Sequence, residues 1–131
     1  MRTFKTKSFA RLARKSGVDD DSLLDAVRHL SAGRVDASIG RFLVKQRIAR
    51  PRQGRSGGFR AVLFFRQGDK AVFLHLFAKS RTDNLSAAED DWYREFAKEL
   101  ALLPEARVRS LAESSEWIEI RDESKDKEVP E

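Results

Sequence analysis

Between Asp36 and Asp69 every charged side chain is basic: Arg41, Lys45, Arg47, Arg50, Arg52, Arg55, Arg60 and Arg66. Arginine offers a planar fork that grips two phosphate oxygens at once, and it never loses its charge. Lysine is a point charge, but crowding by other cations and partial burial favour the neutral amine that a base requires. Such a set suits chemistry at phosphorus, where extra negative charge must be stabilised while protons are removed and returned. Lys45, flanked by Arg41 and Arg47, is the candidate base. His75 is the alternative for either proton, because its ordinary pKa lies nearest neutrality. A histidine that only fills core space between Phe73 and Phe77 fits the sequence equally well.

The whole chain has 131 residues, 26 Lys and Arg against 21 Asp and Glu, and a net charge of +5. That total hides an asymmetry: residues 1–82 carry 19 bases and six acids (+13), and residues 83–131 carry seven bases and 15 acids (−8). A one-sign field of this kind attracts an anionic polymer or an acidic protein segment, the plain alternative being a solvated basic face. With no cysteine and only His29 and His75, a disulfide framework is excluded and a structural zinc site lacks ligands, so neither metal nor cofactor is expected. The composition fits a reducing cytoplasm. No apolar run approaches the ~20 residues of a membrane span. The basic, acid-free residues 1–18 lack the apolar stretch of a secretory signal and are read as part of the fold rather than as a transit peptide.

Elements that would carry these side chains can be traced by pattern. RTFKT reads as a strand, and Ser8 as the cap of a helix FARLARK that stops before Gly17. Asp19, Asp20 and Asp21 suit the start of a second helix with the stripe Leu23, Leu24, Val27, Leu30, ended by Gly33. From Ile39 to Ile48 the pattern is extended, with Phe42, Val44 and Ile48 opposite Arg41, Lys45 and Arg47. After a glycine loop, FRAVLFF reads as a central strand apolar on both faces, in which Phe64 and Phe65 are core rather than base-stacking residues. A turn at Gln67-Gly68-Asp69 leads into AVFLHLFAK, where Phe73, His75, Phe77 and Lys79 share one face and Val72, Leu74, Leu76 and Ala78 the other. Ser86 with Glu89 forms a capping box for a helix bearing Trp92, Phe96, Leu100 and Leu103, ended by Pro104. WIEI at 117–120 is a last short strand, and residues 122–131 form a charged tail expected to be disordered. The order implies an α+β domain over residues 1–121, a small antiparallel twisted sheet with helices on one face, its other face displaying Lys45, Arg47, Arg60, His75 and Lys79. The stretch GRSGG satisfies G-x-S-x-G only formally, since a strand rather than a helix follows it, and no Gly-Lys-Ser/Thr closes a phosphate loop.

The pieces KQRIAR, GRSGGFRAVLFFR and VFLHLFAKS, followed by a capped helix, resemble in this order the RelE superfamily of toxins, in the branch with HigB-type members, where a G-K/R-S-G-G-aromatic-R strand precedes one ending in F-x-K. The resemblance spans residues 1–121 and is strongest over 39–100. It implies a RelE-like, microbial-RNase-type fold and the toxin of a type II toxin–antitoxin pair. The implied activity is that of an mRNA interferase, a metal-independent endoribonuclease acting on mRNA, free or on the 70S ribosome. The implied partner is a helix-turn-helix antitoxin, through which alone the toxin would meet operator DNA. Matched position by position, the basic catalytic set falls on Lys45, Arg47, Arg60 and Lys79, with Arg81 as a further match; Arg41, Arg55 and Arg81 are the expected RNA contacts. The acid–base residue that several relatives carry near the C-terminus has no equivalent in sequence after Trp92 and Tyr93. The alternative within the superfamily is a ParE-type toxin that poisons DNA gyrase.

Overall fold

The computed structural model describes residues 1–49, 58–78 and 86–122. The chain runs β1 (Arg2–Thr6), α1 (Lys7–Ser16), α2 (Asp20–Ser31), β2 (Ala37–Gly40), β3 (Leu43–Ile48), β4 (Phe59–Arg66), β5 (Lys70–Ala78), α3 (Ala87–Ala101), α4 (Glu105–Glu113) and β6 (Trp117–Ile120). The strands form one sheet in the order β2-β3-β4-β5-β1-β6. The α+β class expected from the sequence holds. The antiparallel meander β3-β4-β5 is the centre of a larger, mixed sheet, because β1 adds parallel to β5 and β6 closes antiparallel on β1.

Helices cover both faces rather than one. On one side Phe9 and Ala13 of α1 and Leu23, Val27 and Leu30 of α2 pack on Val44, Ile48, Leu63 and Phe73. On the other, Ala97 and Leu100 of α3 and Val108 of α4 pack with Trp117 on Phe4, Leu43, Val62, Phe64 and Val72. The reason lies in the central strand: a run apolar on both faces needs two covers. Burying each of the fully enclosed rings Phe4, Phe9, Phe64 and Phe73 contributes roughly 1.5–3 kcal/mol. Residues 1–18 are part of this core, through Phe4 and Phe9.

Local chemistry explains the remaining differences from the sequence reading. Thr6, still extended, caps α1 by accepting a hydrogen bond from the Phe9 amide at 3.1 Å, so the strand's last residue does the work expected of Ser8. Pro104 ends α3 and then serves as the first flank of a further helix, α4. The extended run 39–48 is a hairpin, β2 and β3 turning at Arg41-Phe42, with Phe42 at φ 61°, a left-handed conformation no pattern would assign to phenylalanine. Gln67-Gly68-Asp69 is the turn expected, with Gly68 at φ 78°. The first residue of the expected tail, Asp122, pairs with Arg28 at 3.2 Å; residues 123–131 lie outside the described residues.

One irregularity decides what the site contains. Val62 pairs with His75 but Leu63 pairs with Phe73, leaving Leu74 without a partner opposite it. This bulge inverts side-chain parity in mid-strand. Before it, Phe73 points to the α1 side, its ring 5.2 Å from that of Phe9, and Val72 to the α3 side. After it, Leu76 takes the α1 side, and His75 and Phe77 the α3 side. Strict alternation had put Phe73 with His75 and Phe77, and Val72 and Leu74 with Leu76.

Candidate active site

The α3 face of the sheet carries two cross-strand rows. Lys45, Val62 and His75 form one, and Arg47, Arg60 and Phe77 the next. Arg60 therefore stands directly between Arg47 and Phe77, and lies on the diagonal to both Lys45 and His75, a spacing of about 7–8 Å between backbone positions. These rows lie just inside Ile48, Phe59 and Ala78, which pair with one another near the described ends of the three strands.

Arg47 opposite Arg60 is an arrangement of like charges that destabilises a bare sheet. Neither guanidinium has an ion pair with an acid among the described residues; Asp36 reaches Arg47 only at its backbone N–H. Arg60 is half-buried, and its Nε is buried without a hydrogen-bond partner among the described residues. A buried charged donor left open costs free energy that an incoming anion would return.

Over these rows lies the first turn of α3. The box is complete: Ser86 Oγ accepts from the Glu89 amide at 3.2 Å, and Glu89 Oε1 accepts from the Ser86 amide at 3.0 Å. Arg94 ties the helix to β2, donating from Nε to the Ile39 carbonyl at 2.6 Å. Gly40 allows this approach, since a Cβ there would stand 3.1 Å from Arg94 Cγ. Asp90 and Tyr93 are thereby lowered onto the sheet. Lys45 is buried, and Asp90 Oδ1 lies 3.6 Å from its Nζ, too far for a good hydrogen bond. That oxygen, itself buried, has no hydrogen-bond partner among the described residues. Beside Arg47 and Arg60, Lys45 thus also meets a carboxylate, and of the expected flanking cations it is Arg41 that lies elsewhere, at the hairpin turn over the Phe42 ring.

The His75 ring stacks on Tyr93 at 6.2 Å and on Phe77 at 6.1 Å. Burial lowers the His75 pKa from its ordinary value, with the Glu89 charge pulling the other way. Burial raises the Tyr93 pKa, and Glu89 adds to that rise. At neutral pH the imidazole is thus a neutral acceptor and the phenol a protonated donor, the divergence that separates a base from an acid. Glu89 itself is held below the usual carboxylate value, first by the Ser86 backbone hydrogen bond.

Of the residues expected from sequence, the fold brings together Lys45, Arg47, Arg60 and His75. Arg41 is separated from them. Lys79, Arg55 and Arg81 lie outside the described residues. Asp90 and Tyr93 were missed, although Ser86 and Glu89 fix the helical phase that aims them. The small Ala97 hid the signal: with Leu100 it makes the buried stripe of α3, which turns Trp92 outward, 60% exposed, and Tyr93 inward.

Residues 1–120 match the family model described as the RelE toxin of the RelE/RelB toxin–antitoxin system. The chain belongs to the RelE toxin family. No curated protein matches it. As a RelE-family member it is the toxin of a toxin–antitoxin pair, and the family implies a cognate RelB-type antitoxin as its partner. No helix among the described residues is long and apolar enough to cross a membrane.

Proposed function

We propose that this RelE-family toxin is an endoribonuclease that cleaves mRNA, free or on the ribosome, using the substrate's own 2′-OH as nucleophile. The observation that carries the reading is the opposed pair Arg47 and Arg60, without an acid partner among the described residues, beside a neutral histidine and a protonated tyrosine. A phosphodiester seated on the two guanidinium groups would have its non-bridging oxygens neutralised as charge develops. His75 takes the proton of the 2′-OH as that oxygen bonds to phosphorus. Tyr93 gives its proton to the departing 5′ oxygen, leaving a 2′,3′-cyclic phosphate and a free 5′-OH. Lys45 stands behind the phosphate site, held by Asp90. Lys79 as a further catalytic cation, and Arg41, Arg55 and Arg81 as RNA backbone contacts, complete the proposal from the sequence.

The test is incubation of the purified chain with a short single-stranded RNA and chemical identification of the new ends. Cyclic phosphate and 5′-OH termini, lost in His75→Gln, are the expected result. In cells, induction without antitoxin should create new 5′ ends inside translated regions. Growth arrest with intact transcripts and trapped DNA–gyrase cleavage complexes would overturn the proposal.

A further inference from the structure

Trp92 is the largest side chain left in the open, 60% exposed on the first turns of α3. Its ring is nonetheless held in place: Phe96, one turn on, stacks beneath it at 5.2 Å and 20°, and Tyr93 meets it edge-on at 5.0 Å. An i, i+4 aromatic stack fixes the rotamer, so the opposite face of the indole is presented to solvent in a set orientation. The ring also belongs to a series. Phe77, beside Arg60 in its row, stacks on His75, His75 on Tyr93, and Tyr93 abuts Trp92. A continuous run of aromatic rings thus leads from the Arg47–Arg60 pair to an open indole face.

Cations that hold phosphate at one end and aromatic faces at the other are what single-stranded RNA requires, because every base has a face to stack while the backbone supplies the charge. The acids within one turn of Trp92 do not forbid this, Asp90 being turned toward Lys45. Asp91 is paired with Arg94 at 2.7 Å, Glu95 with Lys98 at 2.8 Å, and Glu89 is engaged in the cap. We propose that the open face of Trp92 is a nucleobase subsite, stacking a base one or two nucleotides away from the phosphate held by Arg47 and Arg60. This inference rests on the RNA-cleaving reading for its substrate class and adds where the substrate's neighbouring base is held.

Tryptophan fluorescence reports on it directly. The chain has two tryptophans, and Trp117 is 5% exposed in the core, so a ligand-dependent change comes from Trp92. The probes are a six-nucleotide RNA, the same sequence as DNA, which lacks the attacking hydroxyl, and a mononucleotide that fills the anion site without reaching Trp92. Both oligonucleotides should quench the exposed emission and the mononucleotide should not. Trp92→Ala should weaken oligonucleotide binding about tenfold, Trp92→Phe should restore most of it, and in cleavage assays the loss should fall on KM rather than kcat. Because the DNA probe is not cut, quenching without RNA cleavage would sink the nuclease reading and leave the subsite standing. Cleavage or binding that ignores Trp92→Ala, with no quench, would overturn the subsite alone. So would a Trp92 signal that answers only to the antitoxin, which would make this a protein-docking surface.

Discussion

Replacing Asp90 by Asn should destabilise the protein more than removing the lysine it faces. The Lys45 side chain is 8% exposed and that of Asp90 20%, with 3.6 Å between Nζ and Oδ1. At a near-surface dielectric that separation is worth about 4 kcal/mol of Coulomb attraction, most of it cancelled by the desolvation of the ammonium. In Asp90→Asn the ammonium stays buried and loses its counter-charge, a loss of about 2 kcal/mol once the partial exposure of Asp90 is allowed for. Lys45→Met removes the buried charge in a side chain of similar length, and the more accessible carboxylate turns to water, so the cost is about 1 kcal/mol or less. The double variant should resemble Lys45→Met, giving a coupling of roughly 1–2 kcal/mol. Urea unfolding at constant m-value measures all three, and Asp90→Asn should lower Tm by about 5–10 °C. The electrostatic account is refuted if Asp90→Asn is as stable as the parent, or if Lys45→Met is the worse of the two. Activity adds a second reading. A Lys45→Met protein that is fully folded yet without cleavage would restore Lys45 as a direct participant, whereas cleavage retained by Lys45→Met would confine it to holding α3 in place.

Arg60→Ala should abolish toxicity, through a loss of about 3 kcal/mol of transition-state stabilisation or roughly a hundredfold in rate, while leaving a folded protein that still binds antitoxin; Arg52→Ala should stay toxic, and growth curves with a pull-down separate the two. A toxic Arg60→Ala would remove the arginine pair from the mechanism. His75 binds protons less readily folded than unfolded, so below its ordinary value of 6.5 and down to its lowered folded value the unfolded state holds more protons and stability rises with pH; His75→Gln should flatten that slope in chemical unfolding measured from pH 5 to 7. The same lowering places the acidic limb of kcat/KM below pH 6.5, and the raised Tyr93 pKa places the basic limb above pH 10; a base that titrates at 8 in a rate profile would exclude His75. Because residues 1–82 carry +13, association with the antitoxin should slow markedly between low and high salt in stopped flow, and a salt-independent rate would mean the basic face is not the contact.

Side-chain alternation was legible where strands run regularly. It placed Lys45 and Arg47 together on β3, and Arg60 opposite to Phe59, Ala61, Leu63 and Phe65, because two-residue periodicity needs no knowledge of neighbours. It failed on β5, where the bulge at Leu74 depends on how β4 and β5 pair; His75 and Phe77 reached the expected face only because parity was inverted after Phe73. The parallel β1 was equally hidden, since RTFKT specifies a strand but not the edge it joins. The two side chains that α3 lays over the sheet, Tyr93 and Asp90, were the deepest loss. Tyr93 stacks on His75 and Asp90 faces Lys45 from a helix that follows them in the chain, so no local spacing relates them, and the Ser86–Glu89 cap, the Arg94 tether to Ile39 and the buried stripe of Ala97 and Leu100 set their reach. That dependence has a consequence for the site itself. The arginine pair is set by the pairing of β3 with β4, whereas the Tyr93 stack on His75 and the Asp90 contact require the helix to be seated. Gly40→Val, whose side chain would strike Arg94 Cγ, should therefore weaken cleavage far more than it weakens anion binding at Arg47 and Arg60, measured on the same protein with RNA and with a mononucleotide.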